Sequence, residues 1–196
     1  MMMTRIVAGS AKGRSLRVPK SGTRPTSGRV REALFSRLEH LGYIADCRVL
    51  DLFSGCGALA LEALSRGAAG AVCVECAPSA VKIIAENAEK LGFGPQCEVV
   101  GQKVSSFLAG CAADPARPYD LVFLDPPYDL PQACLTDILQ ALRPCLLSDS
   151  LVVAERRATD PKPVWPVFLR ACDWRKWGDT GVWTAKFCGS GNTMET

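Results

Sequence analysis

Short apolar runs alternate with amphipathic stretches through most of the chain. Arg48-Val-Leu-Asp-Leu-Phe53, Ala71-Val-Cys-Val-Glu75, Glu98-Val-Val-Gly101, Leu121-Val-Phe-Leu124 and Leu151-Val-Val-Ala-Glu155 read as strands, Leu121–Leu124 as a central one covered on both faces. Between them the spacing turns helical. Ser27 is an N-cap for a helix to about Leu41, with Val30, Leu34, Leu38 and Leu41 on one face. Ala58–Arg66 reads as a helix closed by Gly67, and a helix opening at Pro78 turns Val81, Ile84, Ala88 and Leu91 inward and stops at Gly92. Shorter helices are expected over Val104–Cys111 and Gln132–Leu142. Strands alternating with helices predict an α/β fold with a mostly parallel central sheet and right-handed crossovers. The ends of the chain differ. Arg5–Ala8 and Arg14–Val18 flank Gly9-Ser-Ala-Lys-Gly13, the pattern of a small β-hairpin. Trp165–Phe187, around Gly178 and Gly181, predicts a C-terminal antiparallel hairpin. The organisation expected is a hairpin and loop over 1–26, a main domain over 27–188 and a disordered tail over 189–196.

Composition narrows the class. The 196 residues are 48% hydrophobic and 22% charged, and no apolar run reaches membrane-spanning or signal-peptide length, so a soluble cytoplasmic protein is expected. The ten cysteines are scattered through apolar segments, as small buried residues would be. Cys73-Val-Glu-Cys76 has no second pair at zinc-ribbon spacing and His40 is the only histidine, so no metal is expected. Charge is uneven. Residues 1–40 carry a formal +7 and the remainder −4. A basic arm on a mildly acidic body points to a polyanion, most simply nucleic acid.

Two motifs carry chemistry. Gly55-Cys-Gly57-Ala-Leu-Ala60 follows one strand and opens a helix, the pattern that lets backbone approach a nucleotide cofactor, with Glu75 twenty residues on at the next strand end to take ribose hydroxyls. The glycines alone do not separate a dinucleotide from S-adenosylmethionine. Asp51 does. It precedes the turn, where a carboxylate would repel a pyrophosphate but suits a sulfonium or an amino group. The second motif is Asp125-Pro-Pro-Tyr128, at the carboxyl end of an apolar strand. Its prolines end the ladder because neither donates a backbone N–H.

Together these motifs resemble the amino-methylating S-adenosylmethionine-dependent methyltransferases. Arg24-Pro-Thr-Ser-Gly-Arg-Val-Arg-Glu-Ala-Leu-Phe35, Asp51–Gly67 and Phe123–Tyr128, in this order, resemble the bacterial 16S rRNA guanine-N2 methyltransferases of the small-subunit methyltransferase D family. The resemblance covers roughly residues 5–187. It implies a Rossmann-like methyltransferase fold, S-adenosylmethionine as cofactor, and ribosomal RNA or the small subunit as partner, with the protein acting as a monomer. It also places Asp51, Phe53, Ser54, Gly55, Cys56, Gly57, Glu75 and Cys76 at the cofactor, and Asp125, Pro126, Pro127 and Tyr128 at the chemistry. Three positions depart from the family pattern: Cys56 stands where Ser or Thr is common, and Ala77 and Lys103 stand where the family tends to carry acids or amides.

The chemistry follows from the amine. An exocyclic base nitrogen shares its lone pair with the ring and is a poor nucleophile. Acceptors on its N–H groups, here the Asp125 carboxylate and the Pro126 carbonyl, stabilise the charge that develops. Tyr128 is placed to stack on an extruded base. Arg5, Arg14, Arg17, Arg24, Arg29 and Arg31 are the expected phosphate contacts. The four tryptophans, Trp165, Trp174, Trp177 and Trp183, are expected in the core rather than on RNA. Two rivals stay open at this point: a DNA adenine-N6 methyltransferase, which uses the same tetrapeptide, and a nucleic-acid-binding module with a degenerate site. A dehydrogenase is the weakest alternative.

Overall fold

The computed structural model describes residues 3–19, 27–113 and 118–189. A seven-stranded sheet lies at its centre. The strands, in chain order, are β3 (Arg48–Leu52), β4 (Gly70–Glu75), β5 (Cys97–Gly101), β6 (Tyr119–Leu124), β7 (Leu146–Arg157), β8 (Leu169–Trp177) and β9 (Thr180–Phe187). Their spatial order is β5-β4-β3-β6-β7-β9-β8. The first five are parallel, and β9 inserts antiparallel between β7 and β8. The chain order reverses between β3 and β6, so their carboxyl ends open a crevice. This is the Rossmann-like methyltransferase fold that the alternation and the terminal hairpin predict.

Helices α1 (Gly28–His40), α2 (Ala58–Ser65), α3 (Pro78–Leu91), α4 (Val104–Ala113) and α5 (Gln132–Ala141) cover the sheet. Period-two alternation sorts the strand residues between two cores. Val49, Phe123, Val153 and Val182 face Leu34, Phe35 and Leu38 of α1 together with α2 and α3. Leu50, Leu52, Val122, Leu124 and Val152 face Leu108 of α4 and Leu135, Ile138 and Leu139 of α5. The helix ends match their sequence signals. The Ser27 side chain accepts from the Val30 amide, and Gly92 ends α3 in the left-handed region. The main difference is β7, which runs twelve residues: Leu146 already pairs with Tyr119 of β6, the ladder resumes at Leu151, and residues 147–150, outside the expected strand, bulge between the two, with Asp149 at φ +70°. The Ser150 hydroxyl donates to the Tyr119 carbonyl (2.6 Å) and accepts from the Leu147 amide (2.7 Å).

The N-terminal strands β1 (Met3–Arg5) and β2 (Ser15–Arg17) pair antiparallel, but they are no free arm. Ile6, Ala11, Leu16 and Val18 are buried in the first core. Glu62 of α2 accepts from the amides of Val7 (2.8 Å) and Ala8 (3.0 Å), and Ser65 Oγ accepts from Ala11 (2.9 Å). Asn87 of α3 accepts from the Arg17 amide (2.9 Å) and donates to its carbonyl (3.0 Å). The contact is close enough to require Gly9. Its φ is +80°, and a Cβ there would lie 1.8 Å from the Ser65 carbonyl oxygen. No helix among the described residues is long and apolar enough to cross a membrane.

Candidate active site

The glycine turn grows directly out of β3. Phe53 has φ +65°, a left-handed conformation that costs a non-glycine residue strain, and Gly55 (+56°) and Gly57 (+77°) follow it. At Gly57 a Cβ would also press within 3.1 Å of Ile84. The buried Ser54 hydroxyl lies 2.6 Å from the Asp51 carbonyl and fixes the start of the turn. Buried Cys56 uses its carbonyl to accept from Asn87 (3.0 Å), so the turn is also tied to α3. Glu75 ends β4 beside it. One carboxylate oxygen accepts from the Gly55 amide (3.0 Å), the other from the amides of Cys76 (2.8 Å) and Ala77 (2.9 Å).

Asp51 is the unusual group. It is 1% exposed, and one oxygen accepts from the Ala60 amide at the start of α2 (3.2 Å). The other oxygen, Oδ1, is buried without a hydrogen-bond partner. Burial pushes its carboxyl up to about 8, aided by the charges of Asp125 and Glu75 and opposed by the Ala60 amide. A buried carboxylate oxygen with nothing to accept from marks a place for a cationic or N–H-bearing ligand. Beside the turn lies a cavity of about 600 Å³, lined by Phe53, Glu75, Cys76, Lys103, Leu108 and Ile138 among others. Its walls are mostly apolar, as a purine would need. Exposed Lys103 is among its lining residues, at the position where the family pattern carries Asp or Asn.

The second motif sits on the adjoining strand. Leu52 and Leu124 are ladder partners, so Phe53 and Asp125 leave the sheet side by side. Pro126 is buried, while Asp125 and Tyr128 are half-buried. The loop has a brace that no motif announced. Arg156, on β7 and 5% exposed, donates to the carbonyls of Pro127 (3.2 Å) and Leu130 (2.9 Å), and Asp160 pairs with it at 3.2 Å. A planar fork with two carbonyls in reach fixes both position and orientation. The neighbouring Arg157 lies 5.0 Å over the Tyr128 ring, a cation–π contact on the face expected to meet a base.

The six arginines expected on RNA divide. Arg5 and Arg29 are exposed. Arg14 is exposed but donates to the Lys90 and Leu91 carbonyls at the open end of α3, and Arg17 pairs with Glu86 at 2.5 Å. Arg24 lies outside the described residues. Arg31 is a correction. It is fully buried, donates to the Thr4 hydroxyl (3.2 Å) and the Arg5 carbonyl, and lies 3.5 Å from buried Glu62. Burial pulls its guanidinium down and Glu62 opposes that. It occupies the apolar stripe of α1 and does not face RNA. The tryptophans divide too. Trp183 is buried and Trp165 and Trp177 pack against the cores, but Trp174 is half exposed.

Comparison with known proteins agrees with this geometry. The family described as Conserved hypothetical protein 95 matches residues 4–186. Ribosomal RNA small subunit methyltransferase D of Escherichia coli is 44% identical over 125 residues, which cover 63% of this chain and 60% of that protein. The protein of the same name from Haemophilus influenzae is 40% identical over 126 residues, covering 63% of each. The match thus spans about 60% of the length of these curated relatives. A solved structure from Escherichia coli, a candidate methyltransferase, superposes with a TM-score of 0.81 at 31% identity, covering 95% of this chain and 98% of that one. The chain belongs to the Conserved hypothetical protein 95 family, that of the small-subunit methyltransferase D proteins.

Proposed function

We propose that this protein methylates the exocyclic N2 amine of a guanine in small-subunit ribosomal RNA, using S-adenosylmethionine, as a cytoplasmic monomer. The observation that carries this reading is the adjacency of two features at paired strand ends. One is the glycine turn with its unpartnered Asp51 oxygen; the other is the braced Asp125–Tyr128 loop. The family relationship supports it.

The residues present fit the cofactor. S-adenosylmethionine supplies an electrophilic methyl group on a sulfonium. Asp51 meets its cationic methionine part, and Ser54, Gly55, Cys56 and Gly57 bring backbone close. Glu75 takes ribose hydroxyls, while Phe53 and Cys76 wall the cavity. Asp125 and the Pro126 carbonyl accept from the amine N–H groups and hold the nitrogen for in-line attack. Pro127 keeps that carbonyl directed, and Tyr128 stacks on the base. Arg5, Arg14, Arg17, Arg24 and Arg29 are the proposed RNA contacts.

Asp51 makes cofactor binding pH-dependent. With its carboxyl pushed up to about 8, the unliganded protein holds a proton there at neutral pH. A cation nearby favours the carboxylate, so binding below that point expels the proton. Affinity should rise with pH to about 8 and then level off. Calorimetry in buffers of different ionisation heat reads the released proton, and Asp51→Asn should abolish both the release and the slope. In the unfolded chain the same carboxyl titrates near ~3.9. The folded protein therefore binds the extra proton across the interval, and unliganded stability should fall as pH rises from about 4 to about 8.

Arg156 gives a second expectation. Arg156→Met leaves two loop carbonyls without their donor and lets Asp125 drift. Turnover should fall about 100-fold, the cost of misplacement on the order of 1 Å, with cofactor affinity unchanged. Arg156→Lys should recover part of it. Equal turnover in all three proteins would show that the brace is idle.

The function itself is tested with labelled methyl donor. Naked 16S rRNA, small subunits lacking the modification, and DNA are offered in parallel, and the modified base is identified after digestion. N2-methylguanine in rRNA is expected. N6-methyladenine in DNA would replace the reading, and RNA binding without transfer would indicate a degenerate site.

A further inference from the structure

The sheet ends, on the side away from the N-terminal hairpin, in β8. We propose that this edge, centred on Trp174 and Lys176, is a second RNA-contact surface. On it the single-stranded nucleotides flanking the target stack and have their charge neutralised. The inference rests on the RNA-methylation reading above.

Trp174 is 50% exposed, yet it is firmly seated. Its ring lies 6.2 Å from that of its ladder partner Trp183, which is itself buried. Trp183 is confined in turn: a Cβ on Gly181 would lie 2.6 Å from its ring. A buried indole thus backs an exposed one, a rigid platform with one open side. The strand carries Arg170, Arg175 and Lys176 against Asp173 alone. Cations on an edge strand ordinarily discourage edge-to-edge pairing. A half-exposed tryptophan does the reverse, so edge protection does not account for it. The positive balance disfavours a second copy of this strand and favours a polyanion. A polyanion whose units have flat faces suits both features, and single-stranded RNA is one.

Register places the platform beside the chemistry. Trp174 pairs with Trp183, Trp183 with Ala154, and Ala154 with Leu124, the residue before Asp125. Ladder partners share a sheet face. The row from Leu124 to Trp174 crosses three strand spacings, about 14 Å. Lys176 lies in the next row of that face, opposite Gly181 and so in line with Arg156. An RNA strand with its target base at Tyr128 would reach Trp174 within a few nucleotides.

The test compares wild type, Trp174→Ala, Trp174→Phe and Lys176→Ala for binding to naked 16S rRNA and for its methylation. Trp174→Ala should weaken RNA binding about tenfold or more, the scale of one base stack, and raise KM more than it lowers kcat. Trp174→Phe should restore most of this. Lys176→Ala should reduce the slope of log affinity against log salt by about one. Ultraviolet cross-linking of wild type to rRNA should label the tryptic peptide 171–175. Thermal midpoint and S-adenosylhomocysteine affinity should stay at wild-type values. Methylation by wild type with RNA affinity unaltered in Trp174→Ala would overturn the inference and leave the function standing. A concentration-dependent dimer abolished by Trp174→Ala, with RNA affinity intact, would also overturn it. Absence of RNA binding and methylation in wild type would bring down the function and the inference together.

Discussion

Asp125→Ala is expected to lower methyl transfer by roughly 10²–10³-fold, the usual loss when one preorganised group facing developing charge is removed. Cofactor affinity should not fall with it. The two effects separate because Asp51 and Asp125 leave the sheet on different strands, one toward α2 and the other into the amine-facing loop. A finer consequence follows. The Asp125 charge helps to hold the Asp51 proton. Removing it should move the pH at which cofactor affinity levels off to a lower value. Single-turnover transfer and calorimetric S-adenosylhomocysteine titrations across pH read both effects in one variant. Turnover near the wild-type rate would remove Asp125 from the chemistry. An unmoved pH profile would show that the two carboxyls do not communicate.

Glu62→Ala should be the most destabilising of the single changes considered. Glu62 is fully buried in α2 and holds four partners: the amides of Val7 and Ala8, the Arg66 Nε at 2.9 Å, and Arg31 at 3.5 Å. Its loss takes the carboxylate from buried Arg31, leaves Arg66 with Glu39 alone, and removes the acceptor of two amides. Breaking one side of a buried pair costs about 3–5 kcal/mol. For a chain of this size each 1 kcal/mol lowers the thermal midpoint by roughly 2–4 °C, so a fall of roughly 6–20 °C is expected. Arg31→Met combined with Glu62→Met should recover part of the loss, since an apolar pair of similar volume leaves no charge unpaired. Calorimetric unfolding of the three proteins decides it. A Glu62→Ala midpoint within about 2 °C of wild type, less than 1 kcal/mol of change, would mean that water reaches the network.

The frame was legible because it rests on local periodicity and punctuation. Apolar runs gave β3, β4 and β6, Ser27 and Gly92 marked helix ends, and the glycine turn and Asp-Pro-Pro-Tyr fell at strand ends that the alternation already defined. What stayed hidden is long-range polar partnership. Arg156 belongs to Glu155-Arg156-Arg157, which reads as an exposed strand end. Nothing local says that it reaches carbonyls 26 and 29 positions earlier in the chain. Arg31 and Glu62 did leave signals. Arg31 stands at i to Leu34, Phe35 and Leu38 at i+3, i+4 and i+7, squarely on the apolar stripe of α1. Glu62 is the single charge in Ala58-Leu-Ala-Leu-Glu-Ala-Leu-Ser65. Charge on an apolar face predicts a buried partner, and each was the other's.

The hairpin's anchoring also bears on how the chain is made. Its partners Glu62, Ser65 and Asn87 lie 54 to 70 residues downstream. During synthesis residues 3–19 emerge well before them and have nothing to dock on until α2 and most of α3 have followed. Paired through only three residues per strand, they cannot hold themselves together in the interval. A segment made early is therefore among the later ones to settle, and contacts of this sequence separation slow the final step of assembly. The growing chain meanwhile exposes Arg5, Lys12, Arg14 and Arg17 with no acid among residues 3–19 to balance them.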